Sequence, residues 1–246
     1  MNRQTDTAKP TMSRRKKLRE ATLVEIRTIA RKLLVNKGST AVTVNAVARR
    51  MGMSGPALYR YYSSQAELIE ALRADFYREL IAKMRSAGES RAGTAGCRLL
   101  AICRALRGWA VAHPAEFRWL FASPAPPMGE RRCDPSASGT GQAFGLVFLE
   151  QVVEIWETQR FPIPSLEDMD PAIADQLRAY SERIDGRLPP EAAYVFLACW
   201  MRLYGLLCME VLNQISFAYS DMEPVFEECL QELCGLLDIA YEGPRS

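Results

Sequence analysis

Arg60 stands between Tyr59 and Tyr61, behind the small residues Gly55, Pro56 and Ala57, and no carboxylate occurs between residues 43 and 62. None of these side chains pairs a nucleophile with a base, so the chemistry on offer is recognition rather than bond making. A guanidinium matches the paired acceptors on a guanine edge. Hydroxyl groups reach phosphates, and residues without bulk let a backbone approach a groove floor. Arg60 is expected to read bases, with Gly55, Pro56 and Ala57 against the groove floor. Thr43, Tyr59, Tyr61 and Gln65 are expected at phosphates, and Ser54 completes the contacting set.

The elements that must position these groups are short. Val44, Val47, Ala48 and Met51 repeat at spacings of three and four, the stripe of a helix with one buried face. Thr43 is placed to cap it, and Gly52 to end it in the left-handed conformation. Ser54 caps a second helix over residues 55–62, with Pro56 in its first turn and Leu58 and Tyr62 turned inward. Ser64 and Glu67 form a capping box that opens a long helix through Leu68, Leu72, Phe76 and Leu80. An earlier helix supplies a third wall from Leu23, Ile26, Ala30, Leu33 and Leu34, ending near Gly38.

Thr43, Val47-Ala48, Gly52-Met53-Ser54, Ala57-Leu58-Tyr59, Tyr61-Tyr62 and Leu68 together resemble the DNA-binding domain of the TetR (tetracycline-repressor) family. Two positions depart from its pattern. Gln65 stands where the family usually has a phosphate-binding lysine, and Ala46 where a larger apolar residue is common. More loosely, residues 109–117 and 200–206 resemble a C-terminal domain of some members, many of which have histidine at the place of Tyr204. The resemblance implies an all-α fold with an N-terminal three-helix helix-turn-helix domain and a C-terminal helical bundle for ligand binding and dimerisation. It also implies a repressor that binds a palindromic operator as a dimer and is released by a small effector. The boundaries are an arm over residues 1–19, the helix-turn-helix over 20–63, and the bundle over 64–246.

Charge supports a polyanion at the front end. Up to Arg60 there are 14 Lys or Arg against 3 acids, whereas the remainder carries 17 against 26, a split hidden inside a net charge of +2. Such a split points a basic end at nucleic acid. Arg14, Arg15, Lys16 and Lys17, with Arg19, are expected in an irregular basic arm that enters a minor groove or follows phosphates. No apolar core follows the basic N-terminus, so no signal peptide is expected. The apolar run from Ala192 stops at Arg202, so no membrane span is expected either, and the cytoplasm is the expected compartment.

The second half reads as helices throughout. One runs over 97–112 with Leu99, Ile102, Cys103, Leu106 and Ala110 inward, and His113-Pro114 breaks it. A short helix over 114–122, a loop over 123–141, a helix over 144–158 and one opened by Asp170-Pro171 follow. Residues 191–215 are apolar nearly all round, and 222–241 carry a broad apolar face, so these two helices are expected to pair with a second copy.

The aromatics Trp109, Phe117, Phe121, Trp156, Trp200 and Tyr204, with His113, are candidates for lining a pocket for a largely apolar ligand. His113 is the only histidine, which argues against most two-histidine metal sites and leaves any Ser or Cys triad dependent on this one residue; its place at a helix end favours a structural role. No cofactor, metal or enzyme activity is expected. Seven cysteines without a C-x-x-C pair argue against a disulfide framework. Cys133, after Arg131-Arg132, is the one placed for redox sensing. A redox-sensing regulator is therefore one alternative; a small-molecule carrier or enzyme with a vestigial DNA-binding domain is the other.

Overall fold

The computed structural model describes residues 14–122 and 139–244, and within them ten α-helices and no strand. The chain divides into two compact units, residues 1–73 and 74–246.

The smaller unit contains α1 (Arg14–Lys37), α2 (Val44–Arg50), α3 (Gly55–Tyr59) and the first turns of α4 (Gln65–Glu89). Ile26, Ala30, Leu33 and Leu34 of α1, Val44, Val47 and Ala48 of α2, and Leu58, Tyr62, Leu68 and Leu72 are all buried. Those last two leucines carry the unit past the limit expected near residue 63. The Thr43 hydroxyl accepts from the Ala46 amide at 3.1 Å, and the Ser54 hydroxyl from the Ala57 amide at 3.3 Å. Between the two helices, the Gly52 amide bonds the Arg49 carbonyl and the Met53 amide bonds the Ala48 carbonyl. These are the paired bonds of a Schellman ending, and they require φ of +67° at Gly52.

Three local expectations are corrected. Arg14 to Arg19 form the first turns of α1 instead of an irregular arm. Arg, Lys, Leu and Glu are good helix formers, and no Gly or Pro interrupts the run from Arg14 to Lys37. α3 stops at Tyr59, and the amides of Tyr61 and Tyr62 both close a turn onto the Leu58 carbonyl. In the capping box, the Ser64 hydroxyl accepts from the Glu67 amide. The carboxylate of Glu67 returns to the amide and hydroxyl of Ser63, at 2.5 and 2.7 Å.

The larger unit holds the rest of α4 and α5 (Ala95–Ala112), α6 (Pro114–Phe117), α7 (Thr140–Gln159), α8 (Pro171–Arg183), α9 (Pro190–Val211) and α10 (Glu223–Leu236); α6 runs on into a π-turn, Arg118–Ala122. α4 reaches Glu89. Gly88 lies inside the helix, where an added Cβ would sit 3.1 Å from Ile102 of α5.

α9 packs against α5, α7, α8 and α10, which accounts for part of its near-continuous apolar surface. It is long and apolar enough to cross a membrane, with a mean hydropathy of 1.6 despite Arg202. Its four neighbours give that composition another use. α5 staples the bundle through two arginines one turn apart. Arg104 donates to both carboxylate oxygens of Glu227, at 2.9 and 2.7 Å, and Arg107 grips Glu210 at 2.8 to 3.2 Å while also pairing with Glu223.

Candidate functional site

In the smaller unit, the outer face of α3 is open. Pro56, Tyr59 and Arg60 are exposed, with Gly55, Ala57 and Tyr61 half-exposed beside them. Arg60 follows the last residue of α3, and among the described residues no carboxylate pairs with its guanidinium. Thr43 and Ser54 serve as caps, a task that occupies one lone pair and leaves each hydroxyl proton to donate. Gly55 has a second reason to be small. An added Cβ there would meet the Asn45 side-chain oxygen at 3.0 Å, so the α2–α3 approach also limits its size.

Gln65 lies at the start of α4, with its amide donating to the Val42 carbonyl at 3.3 Å. Arg14, Arg15, Lys16 and Lys17 are all exposed on the first turn of α1, where no acid offsets the positive end of the helix dipole.

Two arginines went unnoticed in the sequence. Arg49 and Arg50 project into solvent from the last turn of α2 without a carboxylate partner among the described residues. Arg19 donates to the Arg60 carbonyl and covers the Tyr61 ring. The charge run was the available signal for Arg49 and Arg50, and Arg19 was expected in the basic arm. The separation of Arg19 from Arg60 by 41 positions concealed which cation would serve structure.

In the larger unit, a cavity of about 650 Å³ opens among α7, α8 and α9, lined on α8 by Ile173, Leu177, Tyr180 and Arg183. Gly145 and, on α9, Tyr194, Leu197, Trp200 and Met201 complete most of the wall. Of the expected pocket residues only Trp200 lies there. Trp109 is buried, its indole N–H donating to Glu79 at 2.8 Å, and His113 rests 5.2 Å from its ring. Phe117 and Phe121 are buried 4.8 Å apart, and Trp156 packs on Phe161 at 4.9 Å. The missed signal was the spacing of Ile173, Leu177 and Tyr180, an apolar stripe within an otherwise polar helix.

Trp200 also begins a chain of contacts that leads away from the cavity. It stacks on Tyr204 at 5.6 Å, the Tyr204 hydroxyl donates to the Phe121 carbonyl at 2.8 Å, and Phe121 meets Tyr77 of α4 edge-on at 5.9 Å. The wall of the cavity is thus joined, within the larger unit, to Tyr77 of α4.

Metal and thiol chemistry find little here. No group of three His, Cys, Asp or Glu among the described residues could hold a metal ion. Burial pushes the Cys199 thiol up to about 12 and those of Cys229 and Cys234 up to about 11. Cys103 is pushed higher still, again by burial. Cys133 lies outside the described residues.

Comparison with known proteins places both units. The family described as "Bacterial regulatory proteins, tetR family" matches residues 26–72, and "Tetracyclin repressor-like, C-terminal domain" matches residues 99–233. HTH-type transcriptional regulators Rv1816 of Mycobacterium tuberculosis and Mb1846 of Mycobacterium bovis are each 35% identical over 116 residues, 47% of this chain and 50% of theirs. The chain thus spans about half the length of the curated relatives it matches.

Among solved structures, SCO4313 is 28% identical and superposes with a TM-score of 0.66 over 91% of this chain and 100% of its own. A protein of unknown function from Rhodococcus sp. RHA1, 16% identical, shares the fold at a TM-score of 0.56 over 86% of this chain and 94% of its own. The second family match alone takes in more than half of the residues, and the first covers the helix-turn-helix from α1 into α4. The chain belongs to the TetR family of bacterial transcription regulators.

Proposed function

We propose that the protein is a homodimeric repressor that binds a palindromic operator through α2 and α3 and is released by a small, largely apolar effector. The observation that carries this reading is the exposed, carboxylate-free face of α3 with Arg60 at its end. In this reading Arg60 reads bases, and Gly55, Pro56 and Ala57 face the groove floor. Thr43, Ser54, Tyr59, Tyr61 and the Arg14 to Lys17 turn hold phosphates. Arg49 and Arg50 join them, which offsets the tie of Gln65 to Val42. A helix-turn-helix dimer needs its reading helices about 34 to 36 Å apart to meet successive major grooves. The effector would favour a dimer in which that match is lost.

Dimerisation is assigned to helices α9 and α10. A groove between them, about 600 Å³, is lined by Leu206, Tyr219 and Val225, with Arg202 beside Glu228 and Glu232 at its margin. Apolar surface flanked by both signs of charge suits a self-complementary, two-fold contact. Residues 1–19 and 20–73 then serve DNA contact, and the larger unit serves ligand and partner, inside a cytoplasmic protein.

Titration of DNA from upstream of the coding region, followed by fluorescence anisotropy across salt concentrations, tests the reading. Sequence-specific binding is required, with log K falling by about 0.9 per phosphate contact per log unit of salt. Equal affinity for operator and random duplex would overturn it.

A further inference from the structure

We infer that the cavity among α7, α8 and α9 binds an amphipathic anion, with an apolar body lying on Trp200, Leu177 and Tyr194 and a carboxylate or sulfonate held by Arg183. The inference rests on the reading that an effector controls this protein, and it names both the place and the chemical class. Three observations carry it.

The first is size and lining. A volume of about 650 Å³ lies inside the range of small-molecule sites, which are mostly apolar with a few polar groups that fix orientation. Ile173, Tyr194 and Met201 are each at least 40% exposed although large and apolar, and all three turn toward this one cavity. Leaving such side chains in water forfeits burial that a ligand restores.

The second is charge. Residues 61–246 are net acidic, yet the cation at this cavity, Arg183, has no carboxylate partner among the described residues and lies 5.4 Å from the Tyr180 ring. Arg98, Arg104, Arg107 and Arg178 are paired with acids, and Arg183 is, among the described residues, the one charged side chain on the wall of this cavity. A guanidinium held against an aromatic face beside an apolar hollow, with its donors uncommitted, is arranged to bond an oxyanion head group.

The third is connection. Trp200 lines the cavity and is the first member of the contact chain through Tyr204 and Phe121 to Tyr77 on α4. An occupant resting on the indole therefore touches a packed path, the kind of contiguous network along which coupling travels.

The test uses 8-anilinonaphthalene-1-sulfonate as a fluorescent probe on the full-length protein, displaced by decanoate or by decanol. One saturable probe site per chain is expected. Arg183→Gln is expected to weaken decanoate about tenfold, the loss of one charge-assisted contact, while decanol changes by less than about twofold. Ile173→Glu, at a partly exposed position that leaves folding intact, is expected to weaken both decanoate and the probe.

Absence of a saturable site in the wild-type protein would overturn the inference, as would equal loss of decanoate and decanol in Arg183→Gln. A change of sedimentation state in either variant would also overturn it, making the hollow a contact between copies instead. Binding of decanoate with no effect on operator affinity would leave the site standing and remove the effector reading alone.

Discussion

The Arg19 guanidinium donates two hydrogen bonds of 3.3 Å to the backbone carbonyl of Arg60 and lies 5.1 Å from the centre of the Tyr61 ring. α3 is only five residues long, too short to hold its own last turn without outside partners. A cation at its C-terminal carbonyl satisfies an orphan acceptor and opposes the negative end of the dipole. One side chain of α1 thus fixes the backbone from which Arg60 projects.

Two substitutions separate positioning from reading. Arg60→Ala is expected to lower operator affinity by about 1 to 3 kcal/mol and flatten sequence preference. Arg19→Ala should weaken operator binding as well, yet shift unfolding by less than about 1 kcal/mol, because its contacts are exposed. Gel shifts on operator and scrambled duplex check both. Equal loss on the two duplexes would reassign Arg60 to a phosphate.

Gly52 turns the chain between α2 and α3 at φ +67°, with open space around the missing Cβ. Gly52→Ala therefore meets no clash and pays only the left-handed backbone penalty, about 1 to 2 kcal/mol. Urea unfolding monitored by circular dichroism should record that loss with an unchanged m-value. A loss near zero would mean that the turn is not held in this conformation in solution.

Acid should loosen the α5–α10 staple. Burial alone would raise the Glu227 carboxyl, but hydrogen bonds from Arg104 and Tyr241 outweigh it and hold the group below the usual carboxylate range. A lowered folded value means stability that is complete above the unfolded pKa, about 4.3. It drains away as pH falls through the folded value. Melting temperatures taken from pH 6 to pH 3 should fall, and fall less steeply in Glu227→Gln, whose carboxamide does not titrate.

Tyr204→Phe deletes the bond to the Phe121 carbonyl and keeps the ring stacked on Trp200. If that bond transmits occupancy of the cavity, operator affinity in the absence of ligand should stay close to wild type. The ratio of affinities with and without decanoate should then shrink by about two- to tenfold. An unchanged ratio would take Tyr204 out of the path.

Buried thiols near pKa 11 expose about one thiolate in a thousand at pH 8, the form that alkylating agents attack. Cys103, Cys199, Cys229 and Cys234 are therefore expected to resist iodoacetamide in the native protein and to react in denaturant, as peptide mass spectrometry would show. Rapid native labelling would mean that α9 and α10 part locally.

The parts of the structure legible in the sequence were those written locally. Thr43, Ser54 and Asp170 cap the helices that follow them because a cap needs only a hydroxyl or carboxylate and the next few amides. Gly52 and Leu58 followed from spacing in the same way. Contacts across long stretches of chain were not legible. Gly88 resembles a linker glycine until Ile102 is placed against it, and Arg19 resembles arm charge until it meets Arg60. The pocket was sought among the heaviest aromatics, and most of them are core, as their size favours. The cavity depends instead on the gap between two helices, and residue types alone do not specify such a gap.

The central position of α9 has a consequence in the order of synthesis. Residues 26–72 include the buried side chains of the DNA-reading unit, so that unit is complete once the start of α4 has emerged. α9 keeps one flank bare until α10 arrives at residues 223–236. At the usual 5–20 residues per second, roughly 10 to 30 seconds separate the two events. Each nascent chain therefore passes through an interval in which the DNA-binding unit is already folded while the helices of the larger unit are still incomplete.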